Sequence, residues 1–332
     1  METILTKGQK TRQGGAMSGQ TVADIGEFGL IAALLPRLKS TPAVEVASGD
    51  DAAVLRLGSE RLVVSTDMLV QDRHFRLEWS SPEDIGHKAA AQNFADLTAM
   101  GAHPVALTAA IAMPPETPVD WVLSVVDGMV AEASGLGAAV VGGDVTRASV
   151  VTISLTALGV PSGSRLVGRD GAQPGDVLAV CGRLGWAAAG LAVLGRGFRS
   201  PRIVVDAHRR PQPPYSAGAL AAAAGATSMI DVSDGLLADA GHVADDSGVQ
   251  IVIDTELLPI DDQIRETASA FNADPLGWVI AGGDDHALAA TFSPDAALPA
   301  GFTIIGEVVE GSGVQVPGYR HIGAPGFDHF RE

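Results

Sequence analysis

Apolar residues occur at two different spacings along the chain, and this predicts a mixed α and β fold. Short apolar runs between glycine, proline and acidic residues are typical of strands, whereas apolar residues three or four positions apart are typical of helices. The predicted strands are 44–47, 53–57, 61–65, 105–113, 138–141, 150–160, 177–180, 228–232, 251–253, 279–281, 287–292 and 302–309. The predicted helices are 27–35, 81–101, 119–134, 186–194, 217–224 and one that begins after Gly235, and 200–214 is predicted to be a loop.

The second of these helices begins with a recognisable capping sequence. Ser81 suits the capping position, Pro82 suits the first helical position, and two acidic residues follow in the first turn. Asn93 and Asp96 are three residues apart in the same helix, so both side chains lie on one face. Asp96 is open to two interpretations, which are a functional carboxylate and a structural acid satisfied by the nearby amide.

The length and composition of the chain indicate a two-domain globular protein. A chain of 332 residues exceeds the usual size of one hydrophobic core, and 46% hydrophobic with 18% charged residues is typical of a well-buried fold. The segment 161–175 is rich in glycine, serine, proline and arginine, which predicts the connection between the domains. We expect a flexible extension at 1–20, an N-terminal domain at 21–160 and a C-terminal domain at 161–332.

Charge and cysteine content narrow the possible partners and compartment. A formal net charge of -17 disfavours nucleic acid and anionic membranes as partners. The single cysteine, Cys181, excludes a disulfide within the chain and fits a reducing cytoplasm, and we interpret it as a buried, inert thiol. No apolar stretch reaches the ~18 residues of a membrane helix, and residues 1–20 lack an apolar signal core. We therefore expect a cytoplasmic protein.

Aspartates recur in glycine-flanked segments, mostly directly after predicted strands. Taken singly, each segment could be a simple turn or a helix cap. Carboxylates that converge on one cleft, however, repel one another unless cations lie between them, and magnesium with oxygen ligands usually brings substrate phosphates with it. Together these segments favour metal-dependent phosphate chemistry. They are 49–51, 65–67, 93–96, 142–144, 231–235 and 282–285.

Several familiar catalytic motifs are missing from the sequence. There is no G-x-x-x-x-G-K-[ST] loop, and none of the four lysines lies in a glycine-rich segment. The protein-kinase motifs, a G-x-S-x-G elbow and paired cysteine or histidine spacings for zinc are missing too. A Walker-type nucleotide site, a serine hydrolase and a zinc site are therefore disfavoured.

The ordered set of motifs resembles the thiamine-monophosphate kinase family, within the PurM-like superfamily of aminoimidazole-ribonucleotide synthetase relatives. The resemblance extends from residue 26 to residue 330, which is nearly the whole chain beyond the extension. The segments that carry it are Gly49-Asp50-Asp51-Ala52-Ala53, Ser65-Thr66-Asp67, His74-Phe75, Asn93-Phe94-Ala95-Asp96-Leu97, Met100-Gly101-Ala102, Gly142-Gly143-Asp144, Ile230-Asp231-Val232-Ser233-Asp234-Gly235-Leu236 and Gly282-Gly283-Asp284-Asp285.

The resemblance implies a two-lobed PurM-like fold with a C-terminal α/β lobe, and a cytoplasmic homodimer whose N-terminal sheets pair into a barrel near the ATP site. It implies transfer of the γ-phosphoryl group of ATP to thiamine monophosphate, giving thiamine diphosphate. The implied ligands of several Mg²⁺ ions are Asp51, Ser65, Thr66, Asp67, Asp96, Asp144, Asp231 and Asp234. The implied ATP contacts are Gly143, Asp144, Arg169 and Ser233, and the implied substrate contacts are His74, Asp284 and Phe327.

This chain departs from the family pattern at positions near the implied substrate contacts. Asp284 stands where the family often has glutamate, and His286 where it often has tyrosine. Val145 precedes Thr146 where two threonines are frequent, and Phe327 replaces a tyrosine in the terminal motif. Phe327 still offers an aromatic face for stacking on a thiamine ring.

The residues favour direct transfer between the two phosphorylated molecules. A phosphate monoester is largely dianionic at neutral pH, so its oxygen needs no strong general base. We hypothesise that Asp67, Asp96 and Asp144 form the core metal cluster and that Arg169 assists the transfer. Two alternatives remain open, which are another PurM-like ATP-dependent synthetase and a non-catalytic sensor of thiamine phosphates.

Overall fold

The computed structural model describes residues 19–46, 52–321 and 323–327. The helices are α1 (Val22–Leu34), α2 (Pro82–Ala99), α3 (Val119–Gly135), α4 (Trp186–Gly195), α5 (Arg202–Arg209), α6 (Ala217–Ala223), α7 (Leu236–Ser247), α8 (Asp262–Ala270) and α9 (Pro275–Ala281). The strands are β1 (Val44–Val46), β2 (Val54–Leu55), β3 (Val63–Val70), β4 (Ala102–Met113), β5 (Ala139–Arg147), β6 (Thr152–Pro161), β7 (Val177–Cys181), β8 (Ser228–Val232), β9 (Gln250–Ile253), β10 (Ala287–Phe292), β11 (Phe302–Val309) and β12 (Gly313–Gln315).

The N-terminal half is built on a four-stranded sheet in the order β3-β6-β4-β5. Helices α2 and α3 cover one face, where Leu69 and Leu155 are buried with Phe94 of α2. The other face is covered in part by β1 and β2, which pack on Ala106, Ala139 and Val141, and is open at β3, where Val64 is 54% and Met68 is 51% exposed. Because side chains alternate across a strand, β3 points Ser65 and Asp67 toward α2 and points Val64 and Met68 away from it.

The C-terminal half is built on a six-stranded sheet in the order β12-β9-β11-β7-β10-β8. Helices α4, α5 and α7 pack on one face, and α6 packs on the other. The core consists mainly of alanine, valine and isoleucine, as the scarcity of aromatic residues predicts. Cys181 ends β7, and burial raises the pKa of its thiol, which fits the prediction of an inert cysteine.

Helix α2 joins the two halves because it contacts β3, α3, α6 and β8. Its start is as predicted: the Ser81 side chain accepts from Asp84 N at 3.2 Å, and Asp84 Oδ2 accepts from Ser81 N at 3.1 Å. It packs against α3 with backbones in close approach. A Cβ on Gly86 would lie 1.9 Å from Val125 O, and one on Gly128 would lie 2.2 Å from Glu83 O.

We expect Gly86→Ala to destabilise the fold, because the added methyl group collides with the backbone of α3 and cannot move aside. Overpacking of this kind costs about 1–3 kcal/mol. Gly135→Ala in α3 is the matched control, since nothing lies within 4 Å of a Cβ there. Urea unfolding would show a lower free energy of unfolding only for Gly86→Ala. An equal effect of both substitutions would contradict this account of the α2–α3 contact.

Three predicted elements were wrong, whereas the helix start predicted near residue 27 agrees with a kink at Gly26 (φ 68°), after which the second segment of α1 begins. Residues 275–281 form helix α9 rather than a strand over 279–281, because Asp274 accepts from Leu276 N and Pro275 suits the first turn. The predicted loop 200–214 contains α5, which packs on α4. Finally, the 142–144 segment lies inside β5 rather than in a turn.

No helix in the described part of the chain is long and apolar enough to cross a membrane.

Candidate active site

A pocket of about 1070 Å³ lies between the two halves of the chain. Its walls come from β3, α2, α4, the turn after β8, the segment after α9 and residues between 319 and 327. Seven of the predicted site residues line it, and they come from five separate parts of the sequence. They are Asp67, His74, Asp96, Ser233, Asp234, Asp284 and Phe327.

The first wall brings a strand and a helix together through polar contacts. Asn93 Oδ1 accepts from Asp67 N at 3.1 Å, and Asn93 Nδ2 donates to Ala89 O at 2.9 Å. Ser65 Oγ donates to Asp96 Oδ2 in a short hydrogen bond. The amide of Asn93 thus fixes the backbone of β3 against α2, which places the Asp67 and Asp96 carboxyl groups in the same pocket.

The second wall is the end of β8 and the turn that follows it. Asp231 Oδ2 lies 3.1 Å from His286 Nδ1, and His286 is almost completely buried. Asp239 accepts hydrogen bonds from Asp234 N at 3.1 Å and from Gly235 N at 3.0 Å. The predicted cap by the side chains before α7 is therefore wrong, because Asp239 inside the helix binds the turn instead.

The carboxyl groups from these two walls influence one another. Burial and the charges of Asp231 and Asp67 raise the pKa of Asp96 to about 7. Burial also raises the pKa of Asp67, and the charges of Asp231 and Asp234 act in the same direction. The positive charge of His286 acts in the opposite direction but is outweighed. Burial lowers the pKa of His286, but the hydrogen bond and charge of Asp231 outweigh it and the net change is upward. The pocket therefore holds more negative charge than its own cations balance.

We expect the metal-free protein to lose stability as the pH rises from 5 to 8. A carboxyl group whose folded pKa is raised contributes stability that is complete below its unfolded pKa of 3.8 and is lost as the pH rises through about 7. Thermal unfolding in chelator should show a Tm that falls by several degrees over this range, and Asp96→Asn should flatten the fall. A Tm that rises over this interval in both proteins would contradict the charge assignment.

The third wall carries the predicted substrate contacts, together with a lysine that the sequence did not single out. Lys88 of α2 is 2% exposed, and its Nζ donates to Asp284 Oδ2 at 2.7 Å and to His74 O at 3.3 Å. Burial raises the pKa of Asp284, but the Lys88 charge outweighs it and lowers the pKa to about 2. Phe327 is 52% exposed, and its N donates to Asp234 O at 3.0 Å.

Six of the predicted site residues that the structure describes do not line this pocket. Ser65 and Asp231 still contact it through Asp96 and His286, whereas the other four lie apart from it. Asp144 belongs to β5 and Asp67 to β3, the two opposite edges of the sheet. Asp144 is also in register with residues that point away from α2, namely Ala110, Ser154 and Met68. Gly143 and Thr66 belong to the same sheet, and Arg169 is exposed in the connection before β7. Asp51 lies outside the described residues.

The sheet itself accounts for two of these residues. A Cβ on Gly143 would lie 1.8 Å from Ala109 O, so the close approach of β4 and β5 requires glycine there. Thr66 Oγ1 lies 2.8 Å from Thr156 Oγ1 on the open face of the sheet. In the described part of a single chain, one side of the predicted metal centre is therefore assembled from Asp67, Asp96, Asp231 and Asp234. Asp144 lies apart from these four residues.

Three residues of the site were not predicted from the sequence: His286, which lines the pocket, and Lys88 and Asp239, which hydrogen-bond to the lining residues Asp284 and Asp234. Asp239 was hidden within an ordinary amphipathic helix, and its partners are backbone groups. His286 was noted only as a departure from a pattern. A lysine in the middle of a helix, followed by three alanines, was the one available signal for Lys88.

Comparison with known proteins identifies the family. Residues 49–161 match the AIR synthase related protein N-terminal domain, and residues 173–318 match the corresponding C-terminal domain. The thiamine-monophosphate kinase of Mycobacterium tuberculosis is 46% identical over 319 residues, covering 96% of this chain and 95% of the relative.

Solved structures agree with the sequence comparison. A thiamine-monophosphate kinase from Stenotrophomonas maltophilia superposes with a TM-score of 0.77 at 34% identity, covering 89% of this chain and 97% of the other. A structure described as AaThiL complexed with AMPPCP and TMP superposes with a TM-score of 0.75 at 31% identity, covering 94% of this chain and 100% of the other. The two sheets, the acidic pocket between them and these relatives lead to one conclusion: the chain belongs to the thiamine-monophosphate kinase family, with a PurM-like fold.

Proposed function

We propose that this protein transfers the γ-phosphoryl group of ATP to thiamine monophosphate, giving thiamine diphosphate. The proposal rests on a single pocket with two distinct ends. Clustered carboxyl groups line one end, and the other end has a carboxylate, Asp284, and an aromatic ring, Phe327. A thiamine phosphate has the matching polarity, with a cationic ring at one end and a phosphate at the other. The relative solved with AMPPCP and TMP supports the same pair of substrates.

The acidic side of the pocket fits magnesium. Its donors are carboxylate and hydroxyl oxygens, the ligands that hard divalent cations prefer. Burial, together with the charges of Asp231 and Asp67, raises the pKa of Asp96 to about 7, and a bound cation would favour its charged form. We assign Asp67, Asp96, Asp231 and Asp234 to hold Mg²⁺, with Ser65 orienting Asp96. Bound magnesium would neutralise the phosphates of both substrates and stabilise charge during transfer.

The protein's own residues position the substrates and need not form a covalent intermediate. Asp284, which Lys88 holds in place, would face the thiazolium cation. Phe327 would stack on a ring of the thiamine, and His74 would line the same end of the pocket. The acceptor phosphate is largely dianionic at neutral pH, so in-line attack by its oxygen needs no general base. The catalytic contribution of the chain is therefore orientation and charge complementarity.

We further infer that a second copy of the chain completes the ATP side. The open sheet face exposes Val64 and Met68 and carries Thr66 and Asp144, so pairing two such faces into a barrel would bury apolar surface and cover these residues. Gly143, Arg169 and Ser233 would contact ATP in that dimer. We retain the division at 160/161 and the assignment to the cytoplasm, which the lone cysteine fits.

The test mixes purified protein with ATP, magnesium and thiamine monophosphate and separates the products by chromatography. The proposal expects equal amounts of ADP and thiamine diphosphate. ADP formed only with a formyl-amidine precursor would favour a synthetase, and thiamine-phosphate binding with no ADP would favour a sensor. Either result would overturn the kinase assignment.

A further inference from the structure

A second cavity, which we call the arginine pocket, shares the lining residue Trp79 with the active-site pocket. It has a volume of about 940 Å³ and is bounded by residues 77–87 of the N-terminal half and residues 202–212 of the C-terminal half, with Arg183. Four arginines, Arg183, Arg202, Arg209 and Arg210, line the arginine pocket in a chain whose formal net charge is -17.

The carboxylates in its walls do not balance these four arginines. Arg202 Nε and Arg209 share one acid, Asp206, at 3.2 Å and 3.7 Å. Arg210 lies 3.5 Å from Asp84. The remaining acid, Glu78, lies 4.0 Å from Arg76, which is outside this pocket. The walls therefore carry four guanidinium groups and three carboxylates, which leaves an excess of one positive charge among the lining residues.

Two of the arginines have donors without a partner among the described residues. The Nε of Arg209 is buried and has no hydrogen-bond partner among the described residues. Arg183 forms no ion pair within 4.0 Å in the described part of the chain; its guanidinium lies over the Trp186 ring at 5.0 Å. Burial lowers the pKa of Arg183, so its charged form is partly desolvated. A buried polar donor without a partner is costly unless a ligand or water satisfies it.

We propose that the arginine pocket is a second anion site, which binds a small phosphate or diphosphate group without magnesium. A phosphate group carries about -1.5 to -2 charges at neutral pH and matches the guanidinium fork in geometry. That charge is opposite in sign to the excess in the cavity. The active-site pocket next to it is acidic and repels the same anions unless cations are bound, so the two pockets differ in their metal requirement.

The site can take a free inorganic anion or the phosphate end of an ester such as the product of the proposed reaction. Isothermal titration calorimetry in EDTA separates it from the active site, because anion binding by the acidic pocket is suppressed there. We expect saturable, salt-sensitive binding of inorganic pyrophosphate by the intact chain, unchanged in Asp67→Asn. Thiamine diphosphate binding more tightly than pyrophosphate would identify the ester as the occupant, and the reverse order would identify the free anion.

Arg183→Gln and the double variant Arg183→Gln/Arg209→Gln test the assignment. We expect each to weaken pyrophosphate binding at least about tenfold, because a charge-assisted contact to a phosphate oxygen is lost. Arg183→Gln removes no ion pair, so it should stay folded, and Arg265→Gln on the exposed side of α8 is the control. Absence of saturable binding by the unaltered chain in EDTA, or equal binding by Arg183→Gln, would overturn the proposal. Neither result bears on kinase activity, which is measured separately.

Discussion

Asp67→Asn is expected to lower turnover by about 10²–10³-fold or more while the protein remains folded. The Asp67 carboxylate faces the pocket from β3. Its pKa is raised by burial and by the charges of Asp231 and Asp234, and its own charge raises the pKa of Asp96. Asparagine has nearly the same shape but carries no charge, so it removes a charged oxygen donor without opening a cavity. The measurement is steady-state formation of thiamine diphosphate.

Asp246→Asn is the matched control for this substitution, because Asp246 is an exposed aspartate of α7. It should leave turnover unchanged. In chelator, Asp67→Asn should be at least as stable as the unaltered chain, since it relieves repulsion inside the acidic pocket. Full turnover by Asp67→Asn would reject the assignment of this carboxylate to the reaction.

Lys88→Met is expected to raise the KM for thiamine monophosphate at least about tenfold and to destabilise the fold by about 3 kcal/mol, the lower end for removal of one partner from a buried ion pair. Lys88 is 2% exposed and connects α2 to Asp284 and to the carbonyl of His74. Without it, Asp284 keeps its charge but loses the contact that fixes its position. Because the Asp284 side chain is 38% exposed, water can solvate its unpaired charge, and this offsets part of the destabilisation.

A double-mutant cycle separates this positioning role from general damage. Lys88→Met, Asp284→Asn and the combined variant should show coupled effects on KM, because both single changes break the same 2.7 Å contact. Lys39→Met on an exposed lysine is the control and should change neither KM nor Tm. Strictly additive effects of the two single changes would show that Lys88 does not act through Asp284.

Local signals were sufficient for parts of the fold whose hydrogen bonds are local. The start of α2 was predictable because the Ser81–Asp84 capping contacts lie within four residues. Helix α9 was not, because a short apolar run fits a strand and a buried helix equally well. The class of fold followed from the two apolar spacings, whereas the strand order of each sheet depends on pairings between distant segments.

The same distinction explains the outcome for the site. Asp67 and Asp96 were predictable because each stands out from its apolar surroundings, and the structure brings them into one pocket. Lys88 meets Asp284 across 196 residues, and Asp231 meets His286 across 55, so no local pattern signals either pair. Asp144 was expected in a turn beside them, but β5 continues through it and the pleat directs it to the open face.

The most direct test of the central claim is anomalous diffraction from crystals grown with Mn²⁺, a non-hydrolysable ATP analogue and thiamine monophosphate. The account predicts manganese peaks within coordination distance of Asp67 and Asp96, each also bound by phosphate oxygens of the two ligands. Both ligands bound in the same cleft with no metal at these carboxylates would contradict it.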